Sequence, residues 1–296
     1  MTDEGLVGVA QQPPGRMLPG ACIEVIDEAM QRGPIRGGCG RIRHALFDFD
    51  GTVSLIRQGW QDVMCPMMVQ VLAETGTGES EEELAAIVRD FVDRLTGKQT
   101  IYQMIQLADE VRRRGGEPLE PLQYKRRYLE LLWERIRHRV HGLREGLIDA
   151  EQMRVPGSLE ILQALKGRGV KCYLASGTDE QYVLDEADAV GVSPYFEGIY
   201  GAQDDYQSFS KAMVIRTIIA ENDLHGPELV GFGDGYVEIQ NTREVGGIAV
   251  GVATDEERRE GVDEWKRNRL IVAGAQVVIP DFREHERLLA YLFAED

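Results

Sequence analysis

The sequence predicts an α/β protein: a doubly wound, Rossmann-like parallel sheet with an all-helical domain inserted after its first strand. Three observations predict it. The run Ala45-Leu46-Phe47-Asp48-Phe49 leads directly into Asp50-Gly51-Thr52, and because it is apolar on both faces up to its carboxyl end it reads as a central strand covered by helices on each side. From about residue 60 to 150 the apolar periodicity is helical, with no strand pattern between. From Pro156 onward helix and strand signals alternate to the end, the mark of parallel strands joined by helical crossovers.

Residues 1–40 are rich in Gly and Pro and predict a flexible or peripheral N-terminal extension carrying one short helix around Ile23–Met30. In the insertion, Leu84, Ile87, Val88, Phe91, Val92 and Leu95 share one helical stripe, and Ser80 with Glu83 forms the capping box that starts it. Further helices are predicted over Ile101–Arg113 and Leu122–Arg139, with Met64, Met67, Met68 and Trp133 assigned to the interior of this helical block. After Pro156 come a helix over Leu159–Gly167, a strand over Val170–Ala175, a helix over Glu180–Ala189, a strand near Gly198–Tyr200 and a helix over Lys211–Glu221. Strands over Leu229–Phe232 and Ile248–Val252 follow, then a helical stretch with Trp265, a strand over Gln276–Ile279 and a closing helix containing Leu288, Leu289 and Leu292. The organisation is an extension (1–40), a core (41–59 and 150–296) and a helical cap (60–149).

Charge narrows the function. The 296 residues hold 33 Lys+Arg against 50 Asp+Glu, a formal charge of −17, which repels nucleic acid and anionic membranes as general partners. A deep site can still have its own local charge, so a small anionic ligand remains open. Cys22, Cys39, Cys65 and Cys172 are scattered without metal-ligand spacing, which predicts neither a zinc site nor a disulfide framework and fits a reducing cytoplasm. The sequence predicts no membrane span and no signal peptide; oligomeric state is not legible in it.

In sheets of this kind ligands sit beyond the carboxyl ends of the strands. The residues found there are Asp48-Phe49-Asp50-Gly51-Thr52, then Ser176-Gly177-Thr178, then Gly233-Asp234-Gly235-Tyr236-Val237-Glu238, with Lys211 opening a helix between the last two. Taken singly, Lys211 is an ordinary solvated helix residue and Ser176-Gly177-Thr178 an ordinary helix start. Taken in order, two carboxylates, a hydroxyl beside a glycine, a lysine and a second acidic pair converge on one crevice.

This ordered set resembles the four motifs of the haloacid dehalogenase superfamily, D-x-D-G-T, a Ser/Thr, a Lys and a terminal acidic motif, over about 42–58 and 150–280. The helical insertion after the first motif is similar to the cap of its phosphoglycolate phosphatase and β-phosphoglucomutase branch. The resemblance implies a phosphatase acting on a small phosphorylated metabolite, such as a sugar phosphate. Asp48 would be the nucleophile, already ionised near neutral pH, and Asp50 the general acid and base. Gly51, Thr52, Ser176, Gly177, Thr178 and Lys211 would hold the phosphate, and Asp48, Asp50 and Asp234 would bind Mg²⁺, with Glu238 as a further ligand or a support behind it. The last motif departs from relatives that carry Asp-Asp or a final Asp.

Substrate choice is assigned to Arg57, Gln58 and Trp60 where the cap begins, and to Lys98 and Gln99 in a polar turn between two cap helices. The ten Lys+Arg against six acids between 110 and 145 read as solvated helix faces, and His138 and His141 as surface residues. Other readings compete. A phosphomutase would use the same aspartyl-phosphate; a phosphometabolite sensor or interaction module would keep the fold without turnover. A response-regulator receiver carries similar groups but lacks such a cap and places its phosphoacceptor after a later strand.

Overall fold

The computed structural model describes residues 15–32, 41–203, 205 and 209–295; Cys39 and the outer parts of the N-terminal extension lie outside them. Five parallel strands form the body of the sheet: β3 (His44–Phe47), β4 (Lys171–Asp179), β5 (Phe196–Ala202), β6 (Leu229–Gly233) and β7 (Ile248–Val252), with β8 (Val277–Ile279) continuing parallel to β7. With β1 (Arg16–Met17) and β2 (Glu24–Val25) at one edge, the strand order is β1-β2-β8-β7-β6-β3-β4-β5, so β3 lies between β6 and β4 as the apolar run predicts.

The alternation along β3 explains the layering. Ala45 and Phe47 pack with Ile161, Leu162 and Leu165 of α6 (Ser158–Gly167), while Leu46 points the other way onto Val214, Ile215 and Ile218 of α8 (Lys211–Asn222). Beneath the strand ends Phe47 stacks on Phe232 with centroids 4.6 Å apart, and both rings meet Phe282. Each such buried phenyl contributes about 1.5–3 kcal/mol of hydrophobic stabilisation. The remaining crossovers are α7 (Glu180–Ala189), α9 (Tyr236–Glu244) and α10 (Glu264–Ala273), and α11 (His285–Phe293) closes the chain.

Two elements differ from expectation. Part of the extension is built into the sheet: β1 (Arg16–Met17) pairs antiparallel with β2 (Glu24–Val25), which pairs antiparallel with β8, and α1 (Glu28–Gln31) follows. Two-residue strands carry too little alternation to be read from a sequence. Strand β4 also runs through Ser176, Gly177 and Thr178 to Asp179, which pairs with Ala202 after a bulge. The predicted strand-to-helix turn at Ser176–Thr178 is therefore corrected to extended strand.

Between β3 and α6 stand four helices: α2 (Gln61–Ala73), α3 (Glu81–Leu95), α4 (Thr100–Arg113) and α5 (Pro121–Arg144). The capping box of α3 is present, with Glu83 N–H donating to Ser80 Oγ at 3.2 Å and Ser80 N–H to Glu83 Oε2 at 2.8 Å. Met64, Met67 and Met68 are buried with Phe91, Leu107 and Leu132. Trp133 is corrected: it is exposed and lies edge-on to His141. The buried stripe of α5 is Tyr124, Tyr128, Leu132, Ile136 and Val140, and one residue past Leu132 is a turn of about 100° away from it. The two linkers to this cap run side by side, Leu55 N–H donating to Met153 O at 2.8 Å and Val155 N–H to Val53 O at 3.0 Å. Among the described residues no helix is long and apolar enough to cross a membrane.

Candidate active site

Strands β6, β3 and β4 end side by side, so residues that follow them meet without long reach. Asp48 occupies the first position past β3, where its amide donates to Phe232 O at 2.9 Å and Phe49 N–H donates to Asp48 Oδ1 at 2.7 Å. Lys211 opens α8, which Ser210 caps by accepting from Met213 N–H at 3.1 Å. Its Nζ lies 2.8 Å from Asp48 Oδ1 and also pairs with Glu238 of α9. All three side chains are buried. Burial pushes the Asp48 carboxyl well above the usual carboxylate range, the Glu238 charge adds to this, and Lys211 opposes it. Burial likewise disfavours the Lys211 ammonium, but Asp48 and Glu238 outweigh it and hold the lysine charged.

Asp50 lines the same cleft. Its Oδ2 accepts from Thr178 Oγ1 at 2.8 Å and from Ser176 Oγ at 3.4 Å; these two residues, two apart on extended β4, present both hydroxyls to one side. On its other side Arg57 Nε stands 3.9 Å from Asp50 Oδ1, too far for a hydrogen bond. Arg57 instead donates to Glu186 of α7, from Nε to Oε2 at 2.9 Å and from Nη2 to Oε1 at 2.7 Å.

Asp234, just past β6, lies against the Asp50-Gly51 turn. A Cβ on Gly51 would come within 2.3 Å of Asp234 Oδ2, and Gly51 has φ +74°, so glycine is required twice over. Asp234 Oδ2 is 2.8 Å from Lys266 Nζ of α10, and that ammonium also meets Glu256 Oε1 at 2.6 Å. The cap closes the opposite side: the Lys98 carbonyl oxygen would stand 2.9 Å from a Cβ on Gly177, and Gln99 Nε2 donates to Phe209 O of the core at 2.8 Å. The resulting cleft encloses about 720 Å³, its open mouth included.

The structure brings Asp48, Asp50, Gly51, Ser176, Gly177, Thr178, Lys211 and Asp234 to this cleft, with Arg57, Gln58, Trp60 and Lys98 in its wall. Two assignments are corrected, Thr52 and Gln99. Thr52 is buried outside the lining, its amide donating to Phe49 O at 3.3 Å, and the Gly51 amide donates to Ser54 O at 2.9 Å; the turn consumes both amides expected at a phosphate. Gln99 is buried in the cap–core contact and does not line the cleft. Glu238 stands with Lys211, and its Oε2 accepts no hydrogen bond among the described residues. Sequence reasoning missed Glu186, Glu256 and Lys266, and also Tyr128 and Gln103 in the cap wall. No strand-end position marks any of them.

A sequence model of the haloacid dehalogenase-like hydrolases matches residues 42–246. The chain belongs to this family. No curated protein matches it in sequence. Among solved structures, a predicted phosphoglycolate phosphatase of Haemophilus somnus 129pt superposes with a TM-score of 0.55 at 15% identity, covering 84% of this chain and 98% of that one. CbbY of Rhodobacter sphaeroides, in complex with phosphate, gives 0.51 at 18%, covering 82% and 96%. The β-phosphoglucomutase of Clostridium difficile gives 0.50 at 13%, covering 78% and 97%. At such identities the likeness establishes the fold alone.

Proposed function

We propose that the protein is a cytoplasmic Mg²⁺-dependent phosphatase that hydrolyses a small phosphorylated metabolite, a sugar phosphate or similar ester, through an aspartyl-phosphate on Asp48. The observation that carries this reading is the pairing of Asp48, held by Lys211 at 2.8 Å, with Asp50, held by two hydroxyls of β4, on one enclosed cleft. Asp48 would attack phosphorus while Asp50 gives its proton to the leaving oxygen; Asp50, then a carboxylate, would take a proton from the water that releases phosphate from Asp48. Lys211 would set its charge against the transferring phosphoryl oxygens.

The residues fit a hard divalent ion. Asp48 and Asp234 flank the Asp50-Gly51 turn, and the Asp234 carboxylate fills the space a Gly51 Cβ would take, which puts it against that backbone. Among the described residues no three His, Cys, Asp or Glu side chains cluster for a metal; Asp48 and Asp234 with the Asp50 carbonyl would hold the ion, with water and phosphate as its further ligands. Glu238 Oε2, buried and without a hydrogen-bond partner among the described residues, leaves carboxylate charge beside Asp48 unmatched. When bound, Mg²⁺ supplies the positive charge that lets a carboxylate approach a phosphate dianion.

The test is a phosphate-release assay over a panel of phosphomonoesters with and without Mg²⁺, scored in parallel for isomer formation. Wild type should release phosphate only with the cation, and Asp48→Asn should abolish release. Full activity in Asp48→Asn, or inactivity of wild type across the panel, would refute the reading.

A further inference from the structure

Arg57 is a buried cation in the cleft wall beside Asp50, and its hydrogen bonds do not go to Asp50. Glu186 takes its Nε and Nη2 hydrogens, in contacts of 2.9 and 2.7 Å, and leaves 3.9 Å between Arg57 Nε and Asp50 Oδ1. Both members are buried, at 7% and 2% exposure, and Arg57 lies over the Tyr182 ring, 5.5 Å from its centroid. The third nitrogen, Nη1, donates to nothing among the described residues, while Arg57 lines the cleft. A guanidinium next to a carboxylate normally closes on it in a bidentate pair. Here a second carboxylate, from a helix 129 residues away in sequence, prevents that.

We propose that Glu186 is a positioning residue that holds Arg57 off Asp50 and aims its Nη1 edge at the leaving group, making Arg57 the selector for a neutral leaving group with an oxygen one carbon from the ester. This rests on the phosphatase reading above. Neutrality follows from the charges in place. Lys211 is committed to Asp48 and Glu238, Lys266 to Asp234 and Glu256, and Arg57 to Glu186. Lys98, the remaining cation of the wall, is exposed at the turn between α3 and α4. A carboxylate on the leaving group would therefore face Asp50 without a free buried cation. A hydroxyl or carbonyl oxygen needs only the donor that Arg57 has left.

The experiment compares wild type, Glu186→Gln, Arg57→Met and the double variant Arg57→Met/Glu186→Met on glycerol phosphate, propyl phosphate and 3-phosphoglycerate, with thermal melts of each. Wild type should prefer glycerol phosphate to propyl phosphate by about tenfold or more in kcat/KM, the worth of one hydrogen bond from a charged donor, and should disfavour 3-phosphoglycerate. Glu186→Gln frees Arg57 to close on Asp50, so kcat should fall about a hundredfold, the low end of what general acid–base catalysis contributes. The double variant removes a buried pair together, which is far better tolerated than removing one member. It should melt close to wild type and regain at least tenfold in kcat over Glu186→Gln, while KM for glycerol phosphate stays raised and the preference over propyl phosphate disappears. A double variant with kcat as low as Glu186→Gln, or with wild-type selectivity, overturns the roles of Glu186 and Arg57 and leaves the phosphatase reading standing. Wild type that releases phosphate from no ester overturns both.

Discussion

Lys211 and Lys266 are held in the same way and serve the cleft by different routes, Lys211 lining it and Lys266 standing behind Asp234 and Glu256. Each is an ammonium clasped between a strand-end aspartate and a glutamate, the buried Lys211 between Asp48 and Glu238, the partly buried Lys266 between Asp234 and Glu256. Each stays charged because its two carboxylates outweigh the burial that opposes it. Lys211 stands at the start of a helix beside Asp48, the proposed nucleophile, where a transferring phosphoryl group would lie. Lys266 comes from the third residue of α10 and touches the aspartate assigned to the cation. The difference teaches that one electrostatic device can serve two places: on the proposed reading the first lysine would face the reacting group, and the second would steady the acid that binds the ion.

Removing Lys211 should give the larger loss. Lys211→Met withdraws a charge aimed at the phosphoryl oxygens, and removal of one such donor costs about 10²–10³ in kcat. It also leaves Asp48 and Glu238 buried together without a counter-charge, so the variant should melt earlier than wild type. Lys266→Met should cost about tenfold in kcat/KM, the scale of one hydrogen bond to a charged group, and should change the Mg²⁺ concentration for half-maximal rate, which Lys211→Met should affect less. Steady-state kinetics over a Mg²⁺ titration checks both. Equal losses with equal Mg²⁺ dependence would erase the division of labour.

The same contrast explains what was legible in the sequence. Asp48, Asp50, Lys211 and Asp234 stand at strand ends or a helix start, positions where a parallel sheet presents its chemistry, so their order along the chain exposes them. Lys266 and Glu256 lie in the loop and helix after β7, where a lysine and a glutamate look like any solvated pair. Glu186 faces inward from the middle of α7, among residues chosen for packing. The misreadings have local causes. Thr52 follows a glycine turn whose amides bond back to Phe49 and Ser54, a closure that composition does not reveal. Ser176 to Thr178 look like a helix start because Gly and hydroxyl residues favour caps, yet the pairing of Asp179 with Ala202 keeps them extended. The central layers were legible because both faces of β3 are apolar, whereas the edge strands β1 and β2 rest on pairing with β8.

The smallest expected effect sharpens the comparison from outside the cleft. Arg267, next to Lys266 on α10, donates to Glu24 of β2 through Nε and Nη2, each at 2.6 Å. This fork ties the helix that carries Lys266 to the sheet edge, and α8, which carries Lys211, has no part in it. Hydrogen bonds from Arg267 hold the Glu24 carboxyl below the usual carboxylate range, against burial that would raise it. A carboxyl whose folded value is depressed adds stability above its unfolded value, near 4.3, and that stability is lost as pH falls through the lower folded value. Glu24→Gln should therefore cost about 1.5–3 kcal/mol at pH 7, and its deficit against wild type should shrink below about pH 4 as wild-type Glu24 itself protonates. Urea melts of both proteins across this range measure it. A deficit that does not change with pH would mean that packing, not charge, anchors α10. If the anchor is electrostatic, Glu24→Gln should shift the Mg²⁺ dependence in the same sense as Lys266→Met and by less, because it loosens the helix that positions Lys266 while leaving the Lys211 clasp intact.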